Sequence, residues 1–180
     1  MKKKIFIIAL VILAGYILLM DSGIMETEIF NDGQGIENQK EETIKHATEF
    51  KLEDLEGNEV SLSDFTGRKI FLNFWTTWCP PCDSEMPHIN EVYKENHDIE
   101  IITINLKEDV STIKKYMDNN KFEFPVLLDI DSKVSNHYKA YSIPKSVLID
   151  EEGNIIDTHI GAMDKEKLIE FMQIDTEIDS

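Results

Sequence analysis

The two cysteines of the chain, Cys79 and Cys82, stand two residues apart between an apolar run and a helical pattern. Residues 70–75 (IFLNFW) are rich in β-branched and aromatic side chains, which is typical of a strand buried on both faces. After Cys82, apolar residues at three-to-four spacing predict an amphipathic helix. Because 180 residues with 42% apolar content can bury a core without cross-links, the cysteines are not needed as a scaffold.

The position of the thiols at a predicted helix N-terminus gives them different roles. Unpaired N–H groups and the positive end of the helix dipole favour thiolate over thiol, so Cys79 is predicted to be the nucleophile. Cys82 lies inside the first turn and is predicted to be more buried, as the resolving thiol. Pro80 and Pro81 are tolerated there because the first N–H groups of a helix have no partner, and their missing N–H groups leave Cys79 only moderately activated.

The motif FLNFWxxWCxPC over residues 71–82, followed by Glu85 and Pro87, resembles the membrane-anchored thioredoxin-like proteins of the TlpA and ResA type. The resemblance extends from about Phe50 to about Met172. It implies a thioredoxin fold, a redox-active disulfide between Cys79 and Cys82, and disulfide exchange without a cofactor. Thioredoxin itself has a buried aspartate six residues before its first cysteine, whereas this chain has Asn73 there.

The same resemblance assigns further site residues. It implies that Glu85 lines a cavity beside the cysteines, where a raised pKa lets it exchange a proton with Cys82. Position alone favours a different interpretation, in which Glu85 is an exposed first-turn residue that complements the helix dipole. The resemblance also implies a cis bond before Pro144, with the Ile143 backbone and Trp78 forming the substrate-binding surface.

The N-terminus predicts export and membrane attachment. Three lysines precede sixteen uncharged residues, so residues 1–20 are predicted to be a signal-anchor segment, with a cleaved signal peptide as the alternative. Residues 21–47 are acidic and aperiodic and predict a linker. The catalytic domain, residues 48–177, is therefore expected outside the cell membrane, held by a single pass through residues 5–20.

Alternating strand and helix patterns from residue 50 onward predict an α/β domain with a mixed central sheet in three α/β/α layers. An extra hairpin, centred on the turn at residues 56–58, is predicted to precede the thioredoxin-like unit. A second hairpin over residues 145–159 and a helix over residues 164–172 are predicted to close it.

The charge pattern bears on partners. Residues 21–180 carry 15 basic and 35 acidic side chains, a formal charge of −20, which argues against nucleic acid. The resemblance instead implies exported protein substrates that contain disulfides, such as apocytochrome c or spore-envelope proteins, and an electron donor in the membrane. The predicted function is reduction of such disulfides.

Two other functions are less well supported. Copper delivery by a protein of this fold would use the cysteines with His88 or His159. Copper carriers of this fold have a Cys-x-x-x-Cys motif, however, and the spacing between Cys79 and Cys82 is one residue shorter. Zinc needs further ligands that no other cysteine supplies, so no metal site is predicted. A peroxidase would share Thr76-x-x-Cys79, but Leu72 stands where the peroxidase pattern has proline.

Overall fold

A computed structural model describes residues 45–174 of the chain. The predicted anchor, residues 1–20, and most of the predicted linker lie outside these residues. Within residues 45–174, no helix is long and apolar enough to cross a membrane.

The described residues form eight β-strands and four α-helices. The strands are β1 (Lys45–His46), β2 (Lys51–Asp54), β3 (Glu59–Ser61), β4 (Lys69–Trp75), β5 (Ile99–Leu106), β6 (Val126–Asp129), β7 (Lys145–Ile149) and β8 (Asn154–Ile160). The helices are α1 (Pro80–Glu95), α2 (Val110–Asn120), α3 (Lys133–His137) and α4 (Lys165–Met172). A 3₁₀ turn, Leu62–Phe65, connects β3 to β4.

All eight strands lie in one mixed sheet with the order β1-β8-β7-β4-β5-β6-β2-β3. The buried strand β4 is central, parallel to β5 on one side and antiparallel to β7 on the other. The predicted N-terminal hairpin, β2 and β3, extends the sheet by pairing with β6. The loop after β4 therefore leaves from the middle of the sheet, which is where the cysteines lie.

Alternate side chains of the central strand face opposite layers. Phe71 and Trp75 pack in one core with α1, α2 and α4, whereas Leu72 and Phe74 pack in another with α3. Both cores are buried, which explains why residues 70–75 read as a continuous apolar run. The predicted α/β class with helices on both faces of a mixed sheet is confirmed.

The sheet also takes in residues that the sequence prediction placed in the linker. Lys45 pairs with Ile155 and His46 with Asn154, and the Ala47 N–H donates to the Gly153 carbonyl at 2.9 Å. Lys45 and His46 therefore belong to the sheet, and Ala47 is hydrogen-bonded to the turn before β8. Both residues of β1 are polar and exposed, so the sequence has no alternation of apolar and polar side chains there that would predict a strand.

Candidate active site

Cys79 is the N-cap residue of α1, and the helix begins with Pro80 and Pro81. Its backbone is extended, with φ −91° and ψ 106°, as is usual for an N-cap. The first N–H groups of a helix have no hydrogen-bond partner within the helix. Because proline has no N–H, Pro80 and Pro81 leave no donor unpaired at these positions. The strand β4 ends at Trp75, so three residues connect the sheet to the cysteine that the sequence assigns as nucleophile.

The two sulfurs are joined in a disulfide, and the Cα atoms of Cys79 and Cys82 lie 5.2 Å apart. Cys82 is completely buried, whereas Cys79 keeps 5% of its surface exposed. The Cys82 N–H points at Cys79 Sγ at 3.3 Å. This donor favours a thiolate on Cys79, and it is the first N–H of the helix that the prolines do not remove.

The segment before β7 lies against the more exposed sulfur. The Ile143–Pro144 peptide bond is cis, and the Ile143 carbonyl oxygen lies 3.8 Å from Cys79 Sγ. Ile143 is half-buried, and Trp78, the residue directly before Cys79, is 71% exposed. The structure therefore brings Cys79, directly after Trp78, against the segment Ile143–Pro144 at the carboxyl end of β4.

Glu85 is completely buried on the inner side of α1, three residues after Cys82. Residues three apart lie on the same helix face, so the carboxyl group sits one turn from the resolving sulfur. Its Oε1 accepts from the Met163 N–H and its Oε2 from Asn73 Nδ2, both at 3.0 Å. The interpretation of Glu85 as an exposed first-turn residue is wrong.

Burial raises the pKa of Glu85 to about 7, because removing the carboxylate from water disfavours its charged form. The hydrogen bonds from Met163 and Asn73 and the positive charge of Lys167 act in the opposite direction, but they do not offset the burial. Glu85 therefore holds and releases a proton near neutral pH, as a proton carrier beside the thiols must.

Asn73 and Ser146 continue the hydrogen bonds of Glu85 onto the neighbouring strands β4 and β7. They are paired across β4 and β7, and Asn73 Nδ2 also donates to Ser146 Oγ at 3.1 Å. Both side chains are buried. The site that thioredoxin fills with an aspartate is thus occupied here by an amide that contacts a carboxylate from the helix.

Three partners of the site were not predicted from the sequence: Ser146, the Met163 backbone and Glu108. Glu108 accepts from the Thr77 N–H at 2.7 Å and from Asn105 Nδ2 at 2.8 Å. One signal for Glu108 was present in the sequence. It follows β5, and the carboxyl ends of parallel strands meet at the same edge of a sheet, where the cysteines also lie. The Met163 contact depends on the path of a loop and left no signal in the sequence.

Neither histidine that the copper hypothesis invoked joins the cysteines. In the described part of the chain, no three His, Cys, Asp or Glu side chains lie close enough together to hold a metal ion. His159 lies on β8 with its ring 6.2 Å from that of Phe171. The geometry offers the cysteines a buried carboxyl group and the half-buried backbone of Ile143, which suit disulfide exchange better than metal binding.

The sequence model of the AhpC/TSA family matches residues 44–158. Thiol-disulfide oxidoreductase ResA of Halalkalibacterium halodurans is 38% identical over 132 residues, which cover 72% of this chain and 75% of that protein. ResA of Bacillus cereus is 36% identical over 159 residues, or 87% of this chain and 91% of that protein. The crystal structure of StoA from Bacillus subtilis superposes with a TM-score of 0.62 at 32% identity, covering 69% of this chain and 96% of StoA.

Proposed function

The chain belongs to the AhpC/TSA family and is a thiol-disulfide oxidoreductase of the ResA type, and from that premise we propose that it reduces disulfide bonds in exported proteins. The observation that carries the proposal is the disulfide at the start of α1, with Cys79, the more accessible of the two cysteines, beside the Ile143 backbone. The fold is that of thioredoxin, as the resemblance of the motif implied.

The proposed reaction has two steps and no cofactor. In the reduced protein, the Cys79 thiolate attacks one sulfur of a substrate disulfide; the substrate S–S bond breaks and the other sulfur leaves as a thiolate that takes up a proton. The Cys82 thiolate then attacks Cys79 Sγ in the mixed disulfide and releases the second substrate thiol. Two electrons have passed to the substrate, and the protein is left with the Cys79–Cys82 disulfide.

Glu85 has the role of proton carrier in the second step. Cys82 is buried and must lose its proton before it can attack, and the nearest turn of the same helix face carries a carboxyl group whose pKa lies near 7. A carboxylate at Glu85 takes the proton from the Cys82 thiol, and the Asn73 amide and Met163 N–H stabilise the negative charge until then.

The backbone of Ile143 is the proposed docking edge for an extended substrate. Main-chain hydrogen bonds to such an edge bind a peptide with little dependence on its sequence, which suits an enzyme that acts on unfolded exported proteins. The exposed Trp78 ring, directly before Cys79 in the chain, supplies apolar contact to the substrate. Apocytochrome c and spore-envelope proteins are proposed substrates of this kind.

We also propose that the domain works outside the cell membrane, anchored through residues 5–20. The support is the sequence of lysines followed by an uncharged apolar segment. Because cytoplasmic reductants are on the other side of the bilayer, a membrane protein with its own dithiol must return electrons to Cys79 and Cys82.

Labelling in intact cells tests the location and the reaction together. Cells that make the full chain are treated with a membrane-impermeant maleimide after brief reduction, and the reduction of insulin by the purified protein is measured with dithiothreitol as reductant. Labelling at Cys79 in intact cells, with insulin reduction that Cys79→Ser abolishes, is the expected result. Labelling only after lysis would contradict the proposed location, and insulin reduction by Cys79→Ser would contradict the mechanism.

A further inference from the structure

Glu108 makes three hydrogen bonds at the edge of the sheet where the cysteines lie. Its Oε2 accepts from the Thr77 N–H at 2.7 Å and from Asn105 Nδ2 at 2.8 Å, and its Oε1 accepts from the Thr77 hydroxyl at 2.5 Å. Asn105 is the last residue of β5 paired with β4, where it lies beside Trp75. Glu108 therefore joins the loop that follows β4 to the end of the neighbouring strand.

The loop that Glu108 contacts is the one that presents the nucleophile. Residues 76–78 connect β4 to Cys79, and their own backbone contributes a long hydrogen bond, from the Cys79 N–H to the Thr76 carbonyl at 3.4 Å. Trp78, the next residue after Thr77, is largely exposed. Glu108 accepts both donors of Thr77 and so adds two hydrogen bonds to a loop whose own backbone contributes one.

The local backbone also suits this role. Lys107, directly before Glu108, has φ 61°, in the left-handed region that residues other than glycine rarely adopt. Such conformations persist where the surrounding structure holds them, and they gather at functional sites. Here the turn at Lys107 follows β5, and the next side chain contacts Thr77.

We propose that Glu108 is a positioning residue for disulfide exchange: by holding Thr77 it fixes the loop that presents Trp78 and Cys79 to the substrate. The proposal rests on the proposed function, since it assigns Glu108 an effect on attack by Cys79. Glu108 acts through Thr77 and takes no part in the bond changes. All three of its donors are uncharged groups, so the role requires its hydrogen bonds rather than its charge.

This distinction makes glutamine an informative replacement. In Glu108→Gln, the amide oxygen at the Oε2 position still accepts from the Thr77 N–H and Asn105, and the NH₂ group donates to the Thr77 hydroxyl oxygen. In Glu108→Ala all three contacts are lost. The adjacent Asp109 gives a matched control, because it is the N-cap of α2 and accepts from the Thr112 N–H at 2.9 Å without contacting Thr77.

The experiment compares kcat/KM for insulin reduction and the melting temperature of the wild type, Glu108→Ala, Glu108→Gln and Asp109→Ala. A displaced nucleophile is costly, so Glu108→Ala is expected to lose about tenfold in kcat/KM. Glu108→Gln is expected to recover to within about threefold of the wild type, since its hydrogen bonds persist. Asp109→Ala is expected to have a lower melting temperature, because α2 loses its N-cap, but to keep the kcat/KM of the wild type.

Two results would overturn the proposal. One is equal kcat/KM for Glu108→Ala and Asp109→Ala, which would make Glu108 a structural residue only. The other is a Glu108→Gln variant as impaired as Glu108→Ala, which would make the charge rather than the hydrogen bonds responsible. An inactive wild type would instead refute the proposed function, so the two failures are distinct.

A second variant keeps the test decisive where Glu108→Ala does not fold. Thr77→Val removes only the hydroxyl contact to Glu108 and is expected to lower kcat/KM by about threefold. Where Glu108→Ala does fold, the losses in the double variant Thr77→Val/Glu108→Ala are expected not to add, because both changes break the same contact. Additive losses, or no loss in Thr77→Val, would contradict the proposal.

Discussion

Asn73 Nδ2 donates to Glu85 Oε2 at 3.0 Å, a contact between the central strand and the active-site helix at a place with no access to solvent. Asn73 is a neutral donor at the position where thioredoxin has an aspartate. The acidic side chain of this site, Glu85, comes from the helix instead. The carboxyl group is consequently buried one turn from Cys82, and in the reduced protein we expect its ionisation to be coupled to that of the thiols.

The first prediction concerns stability and pH. The pKa of Glu85 is raised from 4.5 to about 7 by folding, so the folded protein binds this proton more tightly than the unfolded chain. The resulting stabilisation is fully present below about pH 4.5 and is lost as pH rises through about 7. Relative to Glu85→Gln, the wild type should lose on the order of 3 kcal/mol between pH 4 and pH 8.

Urea unfolding of the oxidised proteins at a series of pH values measures this difference. Glu91→Gln is a matched control, because Glu91 is exposed on the same helix, where its carboxylate lies 3.4 Å from Lys165 Nζ. A wild type and a Glu85→Gln variant with parallel pH profiles would show that Glu85 keeps an ordinary pKa in the folded protein.

The second prediction concerns the nucleophile. A negative Glu85 opposes thiolate formation at the neighbouring cysteines, so Glu85→Gln should lower the apparent pKa of Cys79. A shift of about one unit corresponds to about 1.4 kcal/mol between the protonation states and is readily measured by alkylation rates across pH. Superimposable profiles of the two proteins at low salt would remove Glu85 from the mechanism.

The third prediction separates Asn73, which donates to Glu85, from Ser146, which contacts Asn73. The hydrogen bond from Asn73 stabilises the charged carboxylate, so Asn73→Ala should raise the pKa of Glu85 above that of the wild type. Ser146→Ala is the control, because Ser146 contacts Asn73 and leaves the Asn73 to Glu85 hydrogen bond in place. Carboxyl ¹³C NMR titration reports both values, and an equal shift in the two variants would argue against the direct contact.

The fourth prediction gives the direction of exchange. Thioredoxin has a potential near −270 mV and the oxidant DsbA near −120 mV, the latter because its reduced form is stabilised. Between Cys79 and Cys82 this chain has two prolines and no cation, so the Cys82 N–H is the first donor that the helix offers to Cys79. A potential on the order of −250 mV or lower is expected in a glutathione redox titration. A midpoint near the DsbA value would make the protein an oxidant.

Local patterns account for what the sequence predicted correctly. The apolar run ending at Trp75 and the proline-flanked cysteines predicted a strand followed by a helix, and both form where expected. The burial of Glu85 was not evident from its position in a first turn. It was expected only because the motif resembles that of a family, and the structure supplies the cause, two donors from Asn73 and Met163.

Hydrogen bonds between distant segments were not predictable from the sequence, although the position of Glu108 after β5 indicated which end of the sheet it occupies. The Met163 N–H reaches Glu85 across 78 positions of the chain, and the Thr77 to Glu108 contact spans 31. No periodic pattern in the sequence encodes such pairs, because they depend on the paths of the loops that connect the strands and helices. The two-residue strand β1 was missed for a related reason: it is held by backbone pairing to β8 and by no buried side chain.

The trapping of substrates tests the central claim most directly, namely that Cys79 attacks and Cys82 resolves. In cells that make Cys82→Ala, the mixed disulfide on Cys79 has no resolving thiol, so covalent complexes with exported proteins should accumulate and disappear on reduction. Cys79→Ala should trap nothing, because Cys82 is completely buried. Equal trapping by the two variants, or trapping by Cys79→Ala alone, would contradict the assignment of roles.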